Sequence, residues 1–164
     1  MIIVGIDPGI GRVGWGIIQE EKNNLRAIDF GCFETSAKTK PEERLLQINQ
    51  FLGKLFKKYR PDSMSIEDLY FAANAKTALM VGQARGAILL SAAQAKIPTH
   101  SYTPLQVKQS LTGYGRAEKK QIQAMVKAIL NLPSPPKQDD AADALAIAIT
   151  HAFSYKLQCK FNKQ

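Results

Sequence analysis

A chain of 164 residues with 45% hydrophobic and 22% charged content has the size and composition of one globular domain with a real core. Twenty-two Lys and Arg against fourteen Asp and Glu give a net charge of +8, a balance that suits a protein holding a polyanion. No apolar run is long enough to span a bilayer, and the N-terminus lacks the basic region and cleavage site of a secretory signal, so a cytoplasmic protein is expected.

The first predicted element is a buried strand over 2–7. Ile2, Ile3, Val4, Gly5 and Ile6 are too few for a helix of ordinary length and rich in β-branched residues; the strand ends on Asp7 and is stopped by Pro8 and Gly9. RVGWGIIQE and LRAIDFGCFET predict a second and third strand, with Lys22, Asn23 and Asn24 in the turn between them, as an antiparallel meander. Pro41 opens a helix in which Leu45, Ile48, Leu52, Leu55 and Phe56 recur at helical spacing, ending near Tyr59 and Arg60 before Pro61. In SMSIEDL, Met64 and Ile66 share one face of a strand that delivers Glu67 near its C-terminal end. A loop then runs to Asn74, placed to cap a long helix through about Ala95, and IPTHSY predicts a short strand. Helices around Leu105 to Leu111 and Glu118 to Leu130 precede a Pro-rich break from Pro133 to Pro136. The last helix is expected from about Gln138 to Phe153. Residues 1–155 thus read as one domain and 156–164 as a basic, frayed tail. A meander followed by alternating helices and strands implies an α/β fold with a mixed five-stranded sheet flanked by helices, the ribonuclease-H-like architecture.

Four acids stand apart within this frame. Asp7 and Glu67 close buried strands, where acids are uncommon unless paired or bound. Asp140 and Asp143, at i and i+3 of the last helix, project from nearly the same face. Carboxylates gathered together repel, by roughly 4 kcal/mol for unit charges about 4 Å apart at an effective dielectric near 20. A hard cation offsets that, and Mg²⁺ favours a few carboxylates with waters and a substrate phosphate. Helix-capping is the alternative for Asp140 and Asp143 taken alone, since acids are favoured at a helix N-terminus. Cys32 and Cys159 lie far apart and without partners at metal-ligand spacing, so neither is given a structural role. His100 and His151 are equally lone and read as structural or surface residues.

MIIVGIDPGIGRVGWGII, SIEDLYFAANAKTALMVGQARGAI, LQVKQSLTGYGRAEKKQIQAMV and DDAADALAIAITH resemble the motif blocks of the RuvC family of crossover junction endodeoxyribonucleases, over nearly the whole chain. The resemblance implies a Holliday junction resolvase of homologous recombination and DNA repair whose metal-binding acids are Asp7, Glu67, Asp140 and Asp143. The family's spacing of Asp, two residues, Asp selects Asp140 over Asp139. It implies phosphodiester hydrolysis with two Mg²⁺ ions about 4 Å apart, for which Mn²⁺ can substitute, leaving a 5′ phosphate and a 3′ hydroxyl. Asp7 would bridge the ions, with Glu67 and Asp143 on one and Asp140 on the other. DNA contacts are implied at Tyr70, Lys108 and Lys119. Arg116 and Lys120 could extend that surface, while Phe71 reads as a core residue. The resemblance also implies a homodimer packed through the small-sided stretch Gly82, Ala84, Gly86 and Ala87, and RuvA and RuvB as partners.

Two other readings remain at this stage. GIDPGIGRVGWGI resembles the first phosphate loop of actin-like and sugar-kinase-like ATPases, but those need a second comparable domain that 164 residues do not hold. A module that binds branched DNA without cutting is the other, and it gives no physical reason to keep four acids.

Overall fold

The predicted meander consists of β1 (Ile2–Asp7), β2 (Arg12–Glu21) and β3 (Asn24–Glu34); β4 (Ser63–Glu67) adds parallel to β1 and β5 (Thr99–Tyr102) parallel to β4. The sheet order is β3-β2-β1-β4-β5, which puts β1 at the centre. The computed structural model describes residues 1–22, 24–68 and 75–161. Among the described residues five helices cover the sheet: α1 (Pro41–Tyr59), α2 (Ala75–Gln94), α3 (Pro104–Thr112), α4 (Lys119–Ile129) and α5 (Asp139–Phe161). Among the described residues no helix is long and apolar enough to cross a membrane.

Local signals account for the helix ends. Pro41 enters α1 where its missing N–H costs nothing, Glu42 and Glu43 meet the positive end of the dipole, and Lys57 and Lys58 meet the negative end. Arg60 then turns the chain in the left-handed conformation and its N–H bonds the Phe56 carbonyl at 2.8 Å. Thr103 and Gln106 form a reciprocal capping box on α3, which Gly113 closes at φ 81°. One end differs from the expected one. α5 does not stop near Phe153 but continues to Phe161, because no Pro or Gly interrupts it. Asn74, expected to cap α2, lies outside the described residues.

The strand period of two divides the interior into two cores. Val4, Ile6, Val13, Ile17, Met64 and Ile66 point toward α1 and α2, meeting Ile48, Leu52, Phe56, Ala84 and Ile88. Ile3 and Ile18 point the other way, toward α3, α4 and α5, meeting Val107, Leu111, Ile122, Val126, Leu145 and Ile149. Asp7 shares the parity of Ile3, so its carboxylate belongs to the α5 face.

Candidate active site

The neighbours of Asp7 follow from register. Asp7 pairs with Gly14 across the antiparallel β1–β2 ladder, and Ile6 pairs with Ile66 across the parallel β1–β4 ladder. One step on, Asp7 and Glu67 stand side by side where their strands end, and both face α5. The third element is α5 itself, which lies unusually low on the sheet. A Cβ at Gly14 would collide with the Asp140 carbonyl oxygen, and one at Gly5 with the Ala144 carbonyl oxygen; at Gly16 it would sit 2.7 Å from Leu145 Cδ2. Any side chain at these positions would lift the helix, so glycine in β1 and β2 is what lets its backbone touch the sheet. On the helix side, Ala141, Ala144 and Ala148 are almost wholly buried and small. This descent carries Asp140 and Asp143 to the end of the sheet that bears Asp7 and Glu67.

The electrostatics record the crowding. Burial, then the charges of Glu67, Asp143 and Asp140, push the Asp7 carboxyl up to about 8. Burial and Asp143 also raise Glu67, and burial raises Asp143 although Lys119 works against it. Lys119 Nζ lies 3.1 Å from Asp143 Oδ2 and 3.3 Å from Asp139 Oδ2. Asp140 leans the other way, with Oδ2 3.9 Å from Arg12 Nη1 and 3.9 Å from Cys32 Sγ. Burial followed by the charges of Asp140 and Glu34 pushes the Cys32 thiol up to about 11, so it stands there as a neutral, unreactive group. Among the described residues no three Asp, Glu, His or Cys side chains converge into a finished metal cage. The acids are gathered by the backbone and held apart by their repulsion and by Lys119 and Arg12. Their chemistry fits a hard divalent cation: the donors are carboxylate oxygens, and the strongly raised Asp7 measures how much a positive charge would relieve.

The remaining predicted residues are placed less closely. Of the basic set, Lys119 alone pairs with the acids among the described residues. Lys108 is half-buried on α3, while Arg116 and Lys120 are exposed on either side of the Glu118 cap and of Lys119. Tyr70 and Phe71 lie outside the described residues. Asp139 is exposed, as expected of a solvated acid, and also accepts from Gln123 Nε2 at 2.8 Å. His151 is buried, its Nδ1 2.9 Å from the Tyr102 hydroxyl and its ring stacked on His100 at 4.3 Å. Burial and His100 push it down to about 4, which keeps it neutral. The sequence alone singles out neither Arg12 nor the three glycines, and gives Cys32 no structural role. Only the glycines left a signal, since glycine inside a strand pattern marks close backbone approach.

The family model described as crossover junction endodeoxyribonuclease RuvC matches residues 3–151. A protein of that name from Halothermothrix orenii is 50% identical over 161 residues, covering 98% of each chain. The structure described as T. thermophilus RuvC in complex with Holliday junction substrate superposes with a TM-score of 0.88 at 34% identity, covering 96% of each chain. The yeast mitochondrial Holliday junction resolvase Ydc2 shares the fold at a TM-score of 0.65 and 16% identity, covering 96% of this chain and 84% of its own.

Proposed function

Since the chain belongs to the RuvC family, whose members are metal-dependent crossover junction endodeoxyribonucleases, we propose that it resolves Holliday junctions by paired nicks made at Asp7, Glu67, Asp140 and Asp143. The observation that supports this most is the joint placement of these acids at one end of β1, β4 and α5, with Asp7 pushed up to about 8 by the others. The four would hold divalent cations, read here as two Mg²⁺ with Mn²⁺ as a substitute. Bound there, the metal supplies the positive charge that activates water and stabilises the leaving 3′ oxygen. The chain's own residues do the rest. Asp7 must give up its proton to become a ligand, and a cation would likewise favour the ionised forms of Glu67 and Asp143, whose carboxyls burial raises. The low seat of α5 fixes Asp140 and Asp143 relative to the strands, since the glycine contacts leave the helix no slack. Lys108, Lys119, Arg116 and Lys120 would follow the DNA backbone, and Tyr70 would stack on unpaired bases at the junction centre.

A four-way junction needs two nicks in strands of like polarity, which a two-fold homodimer provides. On α2, Leu79 and Leu90 are 65% and 56% exposed, and a Cβ at Gly86 would meet nothing within 4 Å among the described residues. The small side of that helix therefore answers no packing need at Gly86 within the chain and supports a second copy seated there. Ala84, by contrast, is buried in the chain's own core. RuvA and RuvB are the proposed assembly partners, and the cytoplasm the proposed compartment.

The test is nicking of a labelled synthetic four-way junction against linear duplex of the same sequence, with Mg²⁺ and with chelator. Symmetric, Mg²⁺-dependent nicks confined to the junction are expected. Junction binding without nicks under every metal would favour a non-cutting module, and equal cutting of both substrates a general nuclease.

A further inference from the structure

Lys119 begins α4, one position after the Glu118 cap, and its side chain crosses to the first turns of α5. Besides its direct pairs with Asp143 and Asp139 at 3.1 and 3.3 Å, its charge reaches Asp7 and Glu67 and favours the ionised form of both against their burial. One ammonium thus serves as counter-charge to four carboxylates, three of them in the proposed metal set. It is not structurally trapped: its side chain is half exposed, and the Gln123 to Asp139 hydrogen bond keeps α4 against α5 without it.

Resting on the metal-nuclease reading above, we propose that Lys119 is a resident counter-cation that competes with the divalent metal for Asp143 and yields it when a DNA phosphate offers a replacement partner, so that metal loading and DNA binding reinforce one another. An ammonium and a divalent cation on the same carboxylate repel strongly at contact distance, so the two occupy Asp143 in turn. A lysine suits the task, being a point charge with rotatable donors on a long flexible stem, able to swing from carboxylate to phosphate. Reciprocity then follows from linkage: DNA that draws Lys119 away raises metal affinity, and metal that displaces Lys119 raises DNA affinity by the same factor. The consequence is a specificity device. The hydrolytic site is fully charged on the substrate and poorly charged away from it.

The experiment is Mn²⁺ binding to the full chain without DNA, followed by the electron paramagnetic resonance signal of the free ion. Lys119→Met keeps the unbranched stem out to Cε and removes the charged ammonium, and is expected to bind Mn²⁺ about tenfold more tightly than the native chain. Lys120→Met removes an equal charge from the neighbouring residue, which does not touch the acids, and should stay within about twofold because solvent screens it. A four-way junction with phosphorothioates at the crossover, which slow hydrolysis, should tighten Mn²⁺ binding to the native chain several-fold more than to Lys119→Met, which has no ammonium to release. Lys119→Arg, with its charge retained, should stay near native, and urea unfolding midpoints identify any variant that fails to fold. Equal Mn²⁺ affinity for native and Lys119→Met without DNA, equal gain in Lys119→Met and Lys120→Met, or equal tightening of native and Lys119→Met by the junction would overturn the inference and leave the metal site standing. No Mn²⁺ binding by the native chain, with or without junction, would overturn both.

Discussion

The two faces of the sheet are built by alternate residues of the same strands, yet they have opposite characters. Toward α1 and α2 the strands present Val4, Ile6, Val13, Ile17, Met64 and Ile66, all fully buried aliphatic or thioether side chains. Toward α5 they present the buried Ile3 and Ile18 at one end, but Gly5, Asp7, Gly14, Gly16, Ser65 and Glu67 over the rest. The first face removes large apolar area from water and stabilises the fold. The second gives up part of that gain, since glycine and serine bury little and the acids lose hydration, and Ser63 Oγ is buried there with no hydrogen-bond partner among the described residues. In return α5 descends and delivers two more carboxylates. Stability and chemistry are thus separated by the two-residue period of a strand rather than by different parts of the chain.

The sharpest way to break this comparison is Asp7→Asn. Junction nicking should fall by about a thousandfold or more, as the proposed metal-bridging charge is lost while shape is kept. Junction binding should persist, and the metal-free protein should melt at a higher temperature. Retained nicking would remove Asp7 from the site.

Paired substitutions on the two faces come next. Leu52→Ala, against the aliphatic face, should cost about 2–5 kcal/mol of stability and leave the nicking rate unchanged below its melting temperature. Gly14→Ala should cost less, about 1–3 kcal/mol, yet slow nicking, because its Cβ displaces Asp140 and with it the helix that carries Asp143. Denaturant titration and single-turnover nicking of both variants measure the two effects. Loss of both properties in both variants would show that the faces are not separable.

The smallest effect is a proton count. In the metal-free fold the Asp7 carboxyl titrates near 8, against a reference value of 3.8. Between these pH values the folded chain holds more protons than the unfolded one, so the stability of the metal-free protein falls as pH rises from about 4 to 8. Glu67 and Asp143 are raised and act in the same direction. Mg²⁺ binding at pH 7 should therefore release close to one proton from Asp7. Calorimetry in buffers of different ionisation heat reads that number, and a value near zero would mean that the α5 face does not strain its acids.

Much of this was legible along the chain. The elements followed from local rules: β-branched runs, Pro41 opening α1, the spacing of Leu45, Ile48, Leu52 and Leu55, and the Pro-rich break before α5. Asp7 and Glu67 could be singled out because each closes a strand, and Asp140 with Asp143 because three residues bring side chains to one helical face. The far end of α5 lies beyond the expected Phe153, since no Pro or Gly interrupts the chain before Phe161. Local sequence therefore sets what depends on neighbours a few residues away: element type and the facing of each side chain.

Tertiary structure alone decided how near the acids come and what holds them. The contact of Gly14 with the Asp140 backbone, the lysine of α4 between Asp139 and Asp143, and the lean of Asp140 toward Arg12 and Cys32 all join residues distant in the chain. Their geometry depends on how far one helix sinks toward a sheet, a distance set by the summed packing of both cores and by no local pattern.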